Sequence, residues 1–295
     1  MNERLPVLLA VALALAPLAT AEHGQTAQRP SAGHPPIAAP AKTERRVPFR
    51  VGEQLSYNIS WSSFITATAA TATVTVREKK PAYGSVAYYI VAEGRPTPVV
   101  AIFYSLYYKV DTWLDAYTLL PLRASEYSQE RGLRQNKVTL FDQARGRARF
   151  EVQSTTTNPA GSGLPFDSAQ GRQAGTVRLP PQTQDPLSAI FALRASPMKA
   201  GTRTLMPVTF NGSVYQVQVT IDGREPLETA VGRLQAWRIT PIMLESGGEV
   251  ASPRRMTLWI SDDARRLPLK MQVELPAGKF DLTLKEVNSG TPAGR

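Results

Sequence analysis

Cysteine is missing from the 295-residue chain, and its two histidines, His23 and His34, both lie near the N-terminus. The first absence excludes disulfide scaffolds and thiol nucleophiles. Together they leave the chain from about residue 47 onward without a Ser-His-Asp triad, a Cys-His pair or a typical zinc site. Phosphate loops are missing as well, because Gly161, Gly163 and Gly171 lack the following Lys-Ser or Lys-Thr and the strand-to-helix setting such a loop needs. No catalytic residue, metal ligand or cofactor is assigned. What is present suffices for a packed core: 42% of residues are hydrophobic and 20% charged, which excludes a disordered or collagen-like chain.

Residues 1–21 carry Arg4, an apolar run from Leu5 to Leu18 and the small-x-small site Ala19-Thr20-Ala21. This is the pattern of a cleavable secretory signal peptide, and the run, interrupted by Pro6 and Pro17, falls short of the about 20 apolar residues of a membrane-spanning helix. A lipoprotein would need a Cys after the cleavage site. The mature protein is therefore expected to be periplasmic or secreted and not to span the membrane. Residues 22–46 hold Pro30, Pro35, Pro36 and Pro40 without apolar periodicity, which predicts a flexible linker, and residues 288–295 predict a disordered tail.

Between them, residues 47–287 read as one β-rich domain. Strand-like runs rich in Val, Thr, Tyr and Phe occupy 49–61, 65–76, 86–93, 107–115, 122–128, 137–141 and 148–155, then 204–210, 213–221, 234–241, 255–260, 267–274 and 280–285. Asn211-Gly212 predicts a two-residue hairpin, since its turn needs positive φ at both positions. Val217, Val219 and Ile221 alternate with Gln216, Gln218 and Thr220, as when one face meets a core. Thr66 and Thr68 fall out of phase with Thr71, Thr73 and Thr75, which predicts a β-bulge around Ala69-Ala70. Asp185-Pro186 followed by Leu187, Ile190, Phe191 and Arg194 at helical spacing predicts a capped helix. Residues 98–105 fit a turn of helix or a strand, and the Gly-rich stretch 158–176 predicts a mobile loop. The expected fold is all-β and mainly antiparallel, a strongly curved open sheet or partly open barrel with one short helix packed on it.

Residues 49–57 (FRVGEQLSY), the 185–194 segment and residues 259–268 (WISDDARRLP), with 115–121 and 223–232 in order between them, resemble the domain of unknown function family 3108 of exported bacterial proteins. The resemblance covers about residues 47–286. It implies an exported, mostly β envelope protein and carries no established activity or functional residue.

Candidate sites follow from the residues themselves. Aromatics rich in Tyr and Trp suit pockets that are apolar inside and polar at the rim, which points to Tyr57, Trp61, Tyr104, Tyr108, Trp113 and Phe191 as ligand-binding residues. Ala67, Ala70 and Ala72 present small side chains that either admit another element or leave volume for a ligand. Arg145, Arg147 and Arg149 alternate and, on one strand, would aim three guanidinium groups at one face toward an anionic head group. Acidic pairs (Asp262-Asp263, Asp111 with Asp115, Glu126 with Glu130) keep glycosidase chemistry open, although Asp262-Asp263 reads first as a turn and Gly52-Glu53 as a structural element. The formal charge is +10. Nucleic acid is a poor partner for an exported chain without a recognition motif. Three functions stay open: non-catalytic binding or carrying of an apolar or amphipathic, lipid-like ligand; a partner-binding envelope assembly factor; and a carboxylate-based glycan enzyme.

Overall fold

The computed structural model describes residues 43–61, 65–130, 132–156, 170–210, 212–244, 255–275 and 278–290. The signal-peptide and most of the linker assignments, with both histidines, lie outside the described residues. In chain order the elements are β1 (Gln54–Trp61), β2 (Ile65–Ala82), β3 (Ser85–Pro96), α1 (Pro98–Ala101), β4 (Leu106–Asp115), β5 (Pro121–Glu130), β6 (Leu133–Asp142), a 3-10 turn (Gln143–Arg145), β7 (Arg147–Thr156) and β8 (Gln170–Arg178). They continue with α2 (Pro186–Arg194), β9 (Arg203–Phe210), β10 (Ser213–Thr229), β11 (Gly232–Leu244), β12 (Arg255–Ser261), β13 (Pro268–Leu275) and β14 (Gly278–Asn288).

The strands form one 14-stranded antiparallel sheet in the order β8-β7-β6-β5-β4-β3-β2-β1-β14-β13-β12-β11-β10-β9. Each strand pairs with its sequence neighbour, β1 and β14 join the two arms, and the sheet stays open between β8 and β9. The expected all-β, open sheet with one short helix is the fold. Local signals map onto it. Ile59 pairs with Ala70 and Ser60 with Thr68, so Ala69 is the extra residue of the expected bulge. Phe210 pairs with Ser213 across the expected two-residue hairpin. Val217, Val219 and Ile221 are buried.

Three boundaries differ from expectation. Part of the Gly-rich stretch is a strand: β8 pairs with β7 along its length, with Gly175 opposite Phe150. Strand propensity missed it because glycine and glutamine dominate, and its order comes from the ladder and the neighbouring ring. The rest of that stretch lies outside the described residues. The linker assignment runs too far, since Arg45 N donates to Ala116 O at 2.9 Å and Glu44 pairs with Lys79. The tail assignment starts too early, since Asn288 pairs with Gln54 and Ser289 O accepts from Arg50 Nε at 2.8 Å.

Helix α2 sits on the concave side and touches both arms. Leu187 and Phe191 join Phe49, Tyr88, Ile90 and Leu114 on one side. Ala189 and Leu193 pack against the Val208, Val219, Ile239 and Ile260 cluster on the other. Its start follows local chemistry: Asp185 accepts from Leu187 N and Ser188 N, Ser188 Oγ accepts from Asp185 N, and Pro186 fills the first helical position.

Candidate functional site

Small side chains on the concave face leave space in front of α2. Val74, Ala92, Val110, Glu126 and Lys137 are successive cross-strand neighbours from β2 to β6, and Ala72 and Ala124 lie beside this row. With Tyr57, Ile59, Tyr108, Ile190, Phe210 and Leu282 they enclose a cavity of about 160 Å³. A smaller space of about 50 Å³, lined by Leu55, Phe191 and Leu258, adjoins it through shared walls at Tyr57, Ile190 and Met271.

The polar groups of this interior include a facing pair on one wall and a carboxylate at the back. Lys137 faces Glu126 across the β5–β6 ladder and lies 5.3 Å from the Phe210 ring centroid. Burial pulls the lysine below its ordinary pKa, and the Glu126 charge opposes that shift. Tyr108 is pushed up, first by burial and then by the charge and hydrogen bond of Glu126. At the back wall Asp185 accepts from Thr112 Oγ1 at 2.8 Å in addition to its helix-cap bonds, and burial raises its pKa against them.

A second convergence explains the residues of the family resemblance. Arg194 at the end of α2 is fully buried and binds Glu53 with two contacts, Nη1–Oε1 at 2.7 Å and Nη2–Oε2 at 3.0 Å. It also donates to the carbonyls of Arg266 and Arg265, at 2.9 and 3.1 Å. Its guanidinium lies 5.4 Å from Phe49 and 5.0 Å from Phe191. Residues from the 49–57, 185–194 and 259–268 stretches thus meet at one ion pair, in keeping with the structural reading of Gly52-Glu53.

The expected ligand residues separate into groups. Tyr57 and Tyr108 line the main cavity, and Phe191 borders the adjoining one. Trp61 is buried further along the inner face of β1, stacked on Phe280 at 5.2 Å. Tyr104 packs on Ile59, Ala69 and Ala70 outside the cavity lining, and its hydroxyl binds Glu130. Trp113 stacks on Tyr89 at 4.7 Å, on the face opposite Thr112, because alternate residues of β4 point to opposite sides. Ala72 lines the cavity and Ala70 is buried beside it, while the side chain of Ala67 lies outside the described residues.

The arginine expectation also changes. Arg145 stands in the 3-10 turn, where it pairs with Asp142, so the alternation covers Arg147 and Arg149 alone. Buried Ala148 between them faces inward, which turns both arginines to the outside of the sheet, away from the cavity. The acidic pairs are engaged locally. Asp263 accepts from Ser261 Oγ and from the amides of Arg265 and Arg266, the expected turn, while Asp262 holds Arg224 and Trp237 Nε1. Asp111 pairs with Arg123 at 3.0 Å, and Asp115 accepts from the amides of Tyr117 and Thr118. Lys137 carries no site signal in the sequence, and Glu126 is singled out there only beside Glu130; the β5–β6 register is what brings the two together.

No curated protein matches the chain. Among solved structures, a β-barrel-like protein of the domain of unknown function DUF1849 from Brucella abortus is similar at TM-score 0.47 and 10% identity, over 81% of this chain and 97% of that one. A protein from Bacteroides fragilis, classed as exported and having a YmcC-like fold, is similar at TM-score 0.32 and 10% identity, over 83% of this chain and 100% of that one. The model of the family "Protein of unknown function (DUF3108)" matches residues 56–285, nearly the whole sheet, and the chain belongs to that family.

Proposed function

We propose that this is an exported envelope protein that binds the apolar part of an amphiphile between its curved sheet and α2, without catalysing a reaction on it. The cavity carries this reading: its wall is overwhelmingly apolar, with Lys137, Glu126 and Tyr108 set together as an orienting polar spot. Its size bounds the ligand. About 160 Å³ is comparable to an apolar cavity that holds one benzene-sized group. The buried part is therefore a ring or a chain end, and the rest of the molecule extends beyond the cavity.

The test is mass spectrometry of organic extracts from protein expressed as the full chain and purified from the periplasm without detergent, beside Ala92→Phe and a control protein. A stoichiometric amphiphile in the wild type, reduced severalfold in Ala92→Phe, is the expected result. An empty wild type that is folded and monodisperse overturns the ligand reading. It would favour the assembly-factor reading, which rests on β8: that strand has a ladder with β7 alone among the described strands, and the part of its other edge away from the Phe150–Gly212 contact is a place for a partner strand.

A further inference from the structure

Apolar side chains left in water mean most when they are adjacent and project from a tip. Val99, Ile102 and Phe103 are 70%, 76% and 84% exposed, and they occupy α1 and the residues after it, where β3 leads into β4. The inner side of this protrusion is fastened to the sheet. Thr97 N donates to Ala69 O at 2.9 Å, Tyr104 N donates to Val100 O at 2.9 Å, and the Val100 and Tyr104 side chains pack on Ile59, Ala69 and Ala70. The outer side is thereby held out.

The meander places the β5–β6 hairpin at the same end of the sheet, and there Leu133 is 45% exposed. An arginine stands behind each tip: Arg95 near the end of β3, with its side chain 67% exposed, and exposed Arg134 at the start of β6. The acidic groups nearby are Glu93, 4.0 Å from both Arg77 and Arg95, and Glu130, held by Tyr104. Apolar tips with guanidinium groups behind them match the layering of a bilayer, acyl chains below and phosphates above.

We infer that Val99, Ile102, Phe103 and Leu133 insert into the surface of an anionic phospholipid bilayer while Arg95 and Arg134 meet its phosphates. The docking surface goes beyond the ligand reading and stands whatever fills the cavity. Its base nonetheless adjoins that cavity, since Ile59 belongs to the wall of the one and the support of the other.

Protein expressed as the full chain and recovered from the periplasm is co-sedimented with vesicles of phosphatidylethanolamine and phosphatidylglycerol. Wild type is expected to bind these vesicles, and to bind pure phosphatidylcholine less. Ile102→Ser with Phe103→Ser should lose about tenfold or more in vesicle affinity, with circular dichroism and extracted ligand unchanged. Arg95→Gln with Arg134→Gln should remove most of the preference for anionic vesicles. In Phe103→Trp, indole emission should shift to the blue on vesicle addition. Unchanged binding by the serine variant, or a tryptophan that does not shift, overturns the inference. Absence of vesicle binding with capture of an envelope protein through the same residues overturns it in favour of a protein partner.

Discussion

Lys137 shows how one side chain sets the character of the interior. Its strand presents two rows of opposite parity, Val138 and Leu140 against Lys137, Thr139 and Phe141, and hydrophobicity alone favours turning the first inward. The structure does the reverse: Leu140 is 43% exposed, while Phe141 is buried and Lys137 faces the cavity. Its pKa is lowered from an ordinary 10.5, so between the two values the unfolded chain binds the proton more firmly than the folded one. Stability contributed by this group therefore rises with pH through that window and is lost as pH falls through the folded pKa. In Lys137→Met the alkaline rise should disappear. Urea unfolding of wild type and variant from pH 7 to about 10 checks the difference, from which the tyrosine ionisation near pH 10 that both proteins share cancels; parallel profiles would show that the lysine is solvated. The residue type was visible in the sequence, but its direction depended on pairing with Glu126.

Helix α2 was the most legible element because its signals are local. Asp185, Pro186 and a carboxylate-to-amide cap act within one turn, so their spacing survives in the sequence. Its far end was legible only as a position. Arg194 belongs to the predicted apolar stripe, yet its partner Glu53 lies 141 residues away, and nothing local says that the stripe ends in a buried charge. Removing one member of such a pair leaves the other charge unpaired in the interior. Arg194→Met should cost about 3–5 kcal/mol, and joint replacement by Glu53→Leu should recover much of it. Chemical denaturation of the two single variants and the double variant measures this, and additive single effects would deny the coupling. Strand β8 is the opposite case. It carries little propensity of its own, and long-range pairing makes it a strand.

At the scale of the whole molecule the open sheet is held shut without a ladder between β8 and β9. Near one end the Phe150 ring wedges between Gly175 of β8 and Gly212 of the β9–β10 hairpin, where an added Cβ would lie 2.6 and 3.0 Å from the ring. Val214 of β10 packs on Phe141, Ala148 and Leu179 of the other arm. Toward α2, Gln184 bridges to β9, with Gln184 N donating to Pro207 O and Thr209 N to Gln184 O, both at 2.8 Å. Gly175→Ala should therefore destabilise by about 1–3 kcal/mol through overpacking, and in a Phe150→Ala background the same change should be nearly neutral. A double-mutant cycle in thermal unfolding reads this directly. Equal costs in both backgrounds would mean that the ring does not close the seam. The sequence by itself determined strand rhythm, the hairpin, the bulge and the helix cap, since each depends on neighbours within a few residues. Only the tertiary structure decided which side of each strand turns inward, which distant charges meet, that a cavity forms between the sheet and α2, and that a fringe of exposed apolar tips lies at one end of the sheet. Those outcomes are set by pairing across arms far apart in the chain, where local pattern carries no information.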